Sequence, residues 1–339
     1  MTPTPFRYYF WIILIVAALS SWGTVYVQNL SWFQEPRIPI KVGLKWLHQA
    51  QFAGMYIAQD VGLYKDEGLE VELIERDASI SPVIDQVIDG ELHFGIVSVE
   101  DFLNAVDKKK DIIAIAALFQ YSPSALISLK DANILTPKDL KGKTIGLPRD
   151  TKEARFIIEY LLSEENIPQN AVTYKVVGSR QAEALMQGDV DVVSLYRTNG
   201  TYILDKQNIA YNMLLPERYG IDLYNDILVS SQTFVAGHEN IVRSFMTATR
   251  AGWDVAFANE SRAIETVLRY DNKEYHDKEK ETYILKKSLP LMKPRESTVF
   301  GAMSPIHWDY TYELFYNAGI IGTYDIHRHF LPSHFFGTS

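Results

Sequence analysis

The sequence predicts an α/β chain of two βαβαβ lobes joined by two hinge strands, and three observations lead there. After Pro39, segments of alternating apolar residues interchange with segments whose apolar residues recur every three or four positions, the pattern of a mainly parallel sheet flanked by helices. The order strand, helix, strand, helix, strand then occurs twice. Two apolar stretches, 112–129 and 227–231, follow the two copies and read as hinge strands that carry the chain across and back.

In the first copy, Ile40, Val42, Leu44 and Trp46 alternate with Lys41, Gly43 and Lys45, a strand ending on Trp46. Ala53, Ile57 and Val61 make the inner face of a helix with Gly62 near its end. A strand at 69–74, a helix carrying Val83, Ile84, Val87 and Ile88 stopped by Gly90, and a strand at 94–97 complete it. The second copy runs strand 143–147, helix 152–165 with Phe156, Ile157, Tyr160 and Leu161 inward, strand 172–177, helix 180–187 and strand 190–196. The wording echoes: IDGELHFGIVS in one copy and MQGDVDVVSLY in the other place a glycine helix stop before an acid and an apolar strand. Residues 238–315 are helical in pattern, with breaks at Pro290, Pro294 and Pro305, and are expected on the outside of lobe one. Lobe one is therefore discontinuous, 38–125 with 226–335, and lobe two is 126–225. The tail from Ile326, IHRHFLPSHFFGTS, reads as a loosely packed terminus.

Of 339 residues 47% are apolar and 22% charged, enough for ordinary cores. The 33 basic and 42 acidic side chains leave a net charge of −9, with no basic block beyond Lys108–Lys110, so no nucleic-acid partner is expected. The absence of cysteine excludes disulfides, thiolate metal sites, thiol nucleophiles and a lipid-modified cysteine. From Tyr8 to Val27 no residue is charged, and Arg7 precedes the run. The stretch is long enough to span a bilayer and also fits a signal peptide, with Ala18 and Ser20 as small residues before a cut. Residues 1–35 are thus a signal anchor or a signal peptide, and Arg7 on the inside places the remainder in the periplasm or outside the cell, tethered to the inner membrane or secreted.

Ligands of open parallel sheets bind beyond the carboxyl ends of the strands. Applied to lobe one, that rule selects Trp46, Gln51 and Phe52, then Ser98 and Glu100. Lobe two contributes Arg149, Asp150 and Thr151, then Tyr196 and Arg197, and the hinge adds Gln120 and Tyr121. Aromatic faces to stack, amides to read edges and acids to pair with amines suit a flat polar heterocycle. The chain has no Walker loop, no G-x-S-x-G elbow, no H-E-x-x-H and no glycine-rich dinucleotide turn, so neither catalysis nor a cofactor is expected. His327, His329 and His334 read as solvated tail residues, and YHDKEKE at 275–281 as a solvated helix face.

The stretch WLHQAQFAGMYIAQDVGLYKDEGLEVEL resembles the superfamily of thiamine-pyrimidine-precursor, riboflavin, alkanesulfonate and nitrate binding proteins (SsuA/THI5-like, NMT1-like). The D-G-E-L-x-F-G-I segment, TPKDLKGKTIGLP and GDVDVVSLY extend the likeness over most of 38–330. The resemblance implies a type II periplasmic-binding-protein fold. It also implies a monomeric solute-binding protein that delivers a thiamine pyrimidine precursor or related heterocycle to an ABC permease and its ATPase. The same architecture accommodates binders of riboflavin, sulfonate or nitrate, and sensory receptors read by a membrane kinase or cyclase. Related eukaryotic enzymes build the pyrimidine from their own histidine in a W-x-x-N-x-x-H-x-G stretch. Here Trp46 and Gly54 match, Gln49 replaces the amide and Phe52 stands where the histidine would be, which together with the missing cysteines points to binding rather than synthesis.

Overall fold

In the computed structural model, residues 36–77, 79–150, 152–270, 277–295, 299–332 and 335 are described. The strands are β1 (Ile38–Gly43), β2 (Leu69–Ile74), β3 (Phe94–Val97), β4 (Ile113–Phe119), β5 (Ser124–Leu129), β6 (Thr144–Leu147), β7 (Thr173–Val176), β8 (Val192–Tyr196), β9 (Tyr211–Leu214) and β10 (Asn225–Ser230). The first helices are α1 (Ala53–Asp60), α2 (Leu63–Asp66), α3 (Val83–Ile88), α4 (Val99–Asp107), α5 (Lys152–Glu164) and α6 (Gln181–Met186). They are followed by α7 (Tyr202–Lys206), α8 (Gln232–Gly237), α9 (Glu239–Ala258), α10 (Glu260–Tyr270), α11 (Lys278–Met292) and α12 (Pro305–Asn317). Among the described residues no helix is long and apolar enough to cross a membrane. The apolar run at 8–27 lies outside them.

Two five-stranded sheets carry the fold, in the orders β2-β1-β3-β10-β4 and β7-β6-β8-β5-β9. The orders are equivalent. In each sheet the fourth position is taken by the first strand to arrive from the other sheet, and that strand runs antiparallel to both neighbours. The cause is the crossover. Chain leaving the carboxyl end of β4 crosses at 120–123 and enters the second sheet at the facing edge, so β5 has to run away from that edge. The return at 215–224 imposes the same direction on β10. The sequence stretch 112–129 is thus two strands in two sheets with the hinge between them.

Burial explains the composition of the strands. Every residue of β3, β4 and β10 is buried: β3 and β10 are central, while β4, last in the order, is covered along its edge by bridges from Ala114 to Phe330 and from Ala117 to Gly301. Edge strand β7 is mostly exposed. On the outer layer of lobe one, α1 and α9 meet at two glycines: a Cβ on Gly54 would strike the Trp253 ring, and one on Gly252 would strike the Gly54 carbonyl oxygen.

The C-terminal region departs from expectation in three places. Pro290 lies inside α11, which continues to Met292, while Pro305 opens α12 in its first turn, where a missing N–H is of no consequence. The tail is not loose up to Leu331: Ala114 N donates to His329 O at 2.8 Å, Leu331 N donates to Ala114 O at 2.9 Å, and Phe330 and Leu331 are buried. The apolar side chains bury area that the polar sequence around them hides from a composition argument. Finally, α12 packs at the seam of the two lobes, with Trp308 against Phe102 of α4 and Phe315 against Phe156 of α5.

Candidate functional site

The strand directions assemble one edge. β1 and β3 are parallel and end at Gly43 and Val97, and antiparallel β10 begins beside them, with Ile227 opposite Val97. Asp226 therefore stands just beyond the carboxyl ends of the first sheet. Across the cleft, β8 ends at Tyr196, opposite Ser124. Lys45 sits in the bend after β1.

These residues form one buried polar cluster. The Lys45 ammonium donates to Asp226 Oδ1 at 2.6 Å and to the Tyr196 hydroxyl at 2.8 Å, and lies 4.8 Å from the Tyr196 ring centroid. Gln51 Nε2 donates to the other Asp226 oxygen at 3.1 Å, and Gln49 Nε2 donates to Gln51 Oε1 at 2.5 Å. The Asp226 side chain is 0% exposed and that of Lys45 19%. Asp226 takes a positive φ of 50°, a left-handed conformation that Asp tolerates better than most residues, and its N–H is held by Asn225 Oδ1 at 2.8 Å. Strain of this kind persists where surrounding structure enforces it.

Burial works against both charges of the pair. For Lys45 the attraction of Asp226 and Tyr196 and their hydrogen bonds overcomes it, and the ammonium titrates well above the usual lysine range. Burial leaves Asp226 above the ordinary carboxylate value despite Lys45. Removing one partner of a buried pair typically costs about 3–5 kcal/mol, because the other charge is left without compensation. Glu100, in the first turn of α4, is also raised by burial and is drawn back by Lys45. Glu281 of α11, 4% exposed, accepts from Ala50 N at 2.6 Å beside the same turn.

Of the residues selected from sequence, Gln51, Glu100 and Tyr196 come together around Lys45. Trp46 is 40% exposed, because the chain bends after Leu44 and turns the side chain out of strand alternation. Phe52 is 0% exposed, in the core of lobe one with Phe94 and Trp253. Ser98 caps α4, accepting from Asp101 N at 3.1 Å. Gln120 donates to the Ala117 and Ala302 carbonyls, and Tyr121 N donates to Leu291 O. Arg149 bridges the lobes at the rim through Asp101, at 3.1 Å, whereas Asp150 is bound by Arg155 of its own lobe. Arg197 pairs with Glu217 at 2.6 Å, also within lobe two. Thr151 lies outside the described residues, as does His334, and among those described no cluster of His, Asp and Glu can hold a metal. Thr198, two residues past Tyr196, is wholly buried with a hydroxyl that no protein atom satisfies.

A second set of contacts joins the two lobes. Asp277, the N-cap of α11, accepts from the Tyr202 hydroxyl at 2.7 Å and the Lys206 ammonium at 3.0 Å, both on α7. Tyr283 donates to Asp205 at 2.6 Å and shares a hydrogen bond with Thr201. Hydrogen bonds from Tyr202 and Lys206 hold the Asp277 carboxyl down to about 2. Tyr275 and His276 lie outside the described residues, and in the rest of the run Lys278 and Glu279 are exposed as expected, whereas Asp277 reaches across the lobes and Glu281 points inward.

Lys45, Asp226 and Glu281 escaped the sequence reading. The signal for Glu281 was present, since Glu281, Ile284, Leu285, Ser288 and Met292 share one helical face. An acid on a largely apolar stripe marks a buried polar group.

Two sheets of equivalent order, two crossovers and a polar cluster at the facing strand ends define a periplasmic-binding-protein fold. The E. coli aliphatic sulphonate binding protein SsuA shares that fold, with a TM-score of 0.68 at 12% identity over 90% of this chain and 100% of that one. A family model described as NMT1/THI5 like matches residues 49–263, and the chain belongs to that family. It is 23% identical to the riboflavin-binding protein RibY of Chloroflexus aurantiacus over 274 residues, 77% of this chain and 75% of the relative. A formylaminopyrimidine-binding protein of Halalkalibacterium halodurans is 21% identical over 68% of this chain and 69% of its own length. A 4-amino-5-hydroxymethyl-2-methylpyrimidine phosphate synthase of Aspergillus parasiticus is 24% identical over 65% and 67%.

Proposed function

We propose that the chain is an extracytoplasmic solute-binding protein that captures a small heterocyclic nutrient, a thiamine pyrimidine precursor or a related ring, between its lobes for an ABC importer. One observation carries this reading: charged and amide groups of lobe one converge with the Tyr196 hydroxyl of lobe two at the facing carboxyl ends of the two sheets, where Lys45 and Asp226 meet Tyr196. Such a site gives a ligand contacts that exist in full only when the lobes are together, so binding shifts an open-to-closed equilibrium. Relatives named for binding riboflavin and formylaminopyrimidine favour a ring-shaped ligand. The synthase relative does not change the reading. Phe52, its ring in the core, stands where the resemblance puts the enzyme's histidine, and the sequence has no cysteine. On this account the segment at 8–27 directs the chain across the inner membrane and, if retained, tethers it there.

Calorimetric titration with aminopyrimidines, thiamine, riboflavin, alkanesulfonates and nitrate tests it. Micromolar or tighter binding of a heterocycle is expected. Silence toward every compound, or binding of nitrate alone, contradicts it.

A further inference from the structure

We propose that Asp226 is a subsite for a nitrogen cation or amino group of the ligand, and that the Lys45 ammonium is the protein's own stand-in for that group, leaving as ligand enters. The inference rests on the reading above for the location of the site and adds the chemistry of what enters it.

Asp226 is built into place. Its carboxylate is fully buried on a backbone held in the left-handed region, and one oxygen is fixed by Gln51, itself fixed by Gln49. Lys45 is the opposite in kind. It rides on a bend rather than a strand, reaches Asp226 through a flexible four-carbon stem, and keeps part of that stem in solvent. A fixed anion and a withdrawable cation suit exchange.

The surrounding charges decide what can replace Lys45. Asp226 and Glu100 both feel the ammonium, and Glu281 lies buried next to Gln51's turn. Withdrawing Lys45 removes the cation that Asp226 and Glu100 both feel and takes away the ion-pair partner of the Asp226 carboxylate. An ammonium, amidinium or amino-bearing ring restores the balance; a sulfonate or phosphate does not. Tyr196 adds a second element of recognition, since the face that lies 4.8 Å from the Lys45 nitrogen can equally cover a flat cation. A role for Lys45 as an anion clamp is disfavoured by its partners: Asp226 and Tyr196 already bind it, and an entering anion would stand against a buried carboxylate.

The test is chemical rescue of Lys45→Ala. Propylammonium should raise the melting temperature of this variant saturably, at concentrations that leave the wild type unmoved, while n-propanol and propanesulfonate do not. The effect should vanish in the Lys45→Ala, Asp226→Asn double variant. Rescue by propanesulfonate, or equal response to all three probes, overturns the proposal. If Lys45→Ala does not fold, the wild type still reports. The Lys45 ammonium, held by Asp226 and Tyr196, should give a protected ¹⁵N NMR signal that is lost on adding a 4-aminopyrimidine that binds, and persistence of that signal in the bound state overturns the exchange. The two readings fail separately. Rescue with a silent calorimetric panel keeps the subsite and removes the nutrient, whereas a compound that binds wild type and Asp226→Asn alike keeps the nutrient and removes the subsite.

Discussion

Two aromatic residues six positions apart divide the physics of the first lobe between them. Phe52 sits at the end of a short helical turn that drives its ring into the core, so Phe52→Ala should cost about 3–5 kcal/mol in urea denaturation. Trp46, 40% exposed on the preceding bend, should change stability by less than about 1 kcal/mol when replaced by Ala. Its ligand affinity should fall tenfold or more if the indole stacks on the bound ring. Unchanged affinity removes Trp46 from the site. The alternation of Ile40, Val42 and Leu44 was legible because a strand repeats every two residues, but the repeat stops at the bend and carries no information beyond it. Lys45 was therefore read as the polar face of a strand. Asp226 was hidden differently, since only the register of β10 against β3 brings it to Lys45, 181 residues away in sequence.

At the scale of elements, α1 and α9 approach through glycine. Gly252→Ala gains up to about 1 kcal/mol of helix propensity and loses more by collision with the Gly54 carbonyl, so a net destabilisation of about 1–3 kcal/mol is expected in thermal or chemical denaturation. The joint between α7 and α11 should respond to acid. Asp277 is held below its ordinary 3.8, at about 2, so its contribution is complete above 3.8 and is lost as pH falls toward 2. Asp277→Asn should flatten the pH dependence of unfolding in that window, and an unaltered slope contradicts the joint. Helices and strands of both repeats were readable from period and glycine stops alone. The partners of α11 were not, because a charged run such as KEKE looks solvated until the facing lobe is known.

For the whole molecule, the repeated plan made the two sheets legible, and their equivalent order follows from where the chain crosses. Which side chains meet across the cleft depends on closure, a property no single lobe encodes. Without the Lys45 bridge to Tyr196 the lobes should part more readily. Small-angle scattering of ligand-free Lys45→Met should give a larger radius of gyration than wild type, and identical curves contradict a bridging role. The central claim, a small molecule held between the lobes, is tested most directly by native mass spectrometry of protein purified gently and without refolding. The account predicts a small-molecule adduct that is released on collisional activation and is absent from Asp226→Asn. A bare chain mass that stays bare after addition of each compound in the calorimetric panel would contradict it.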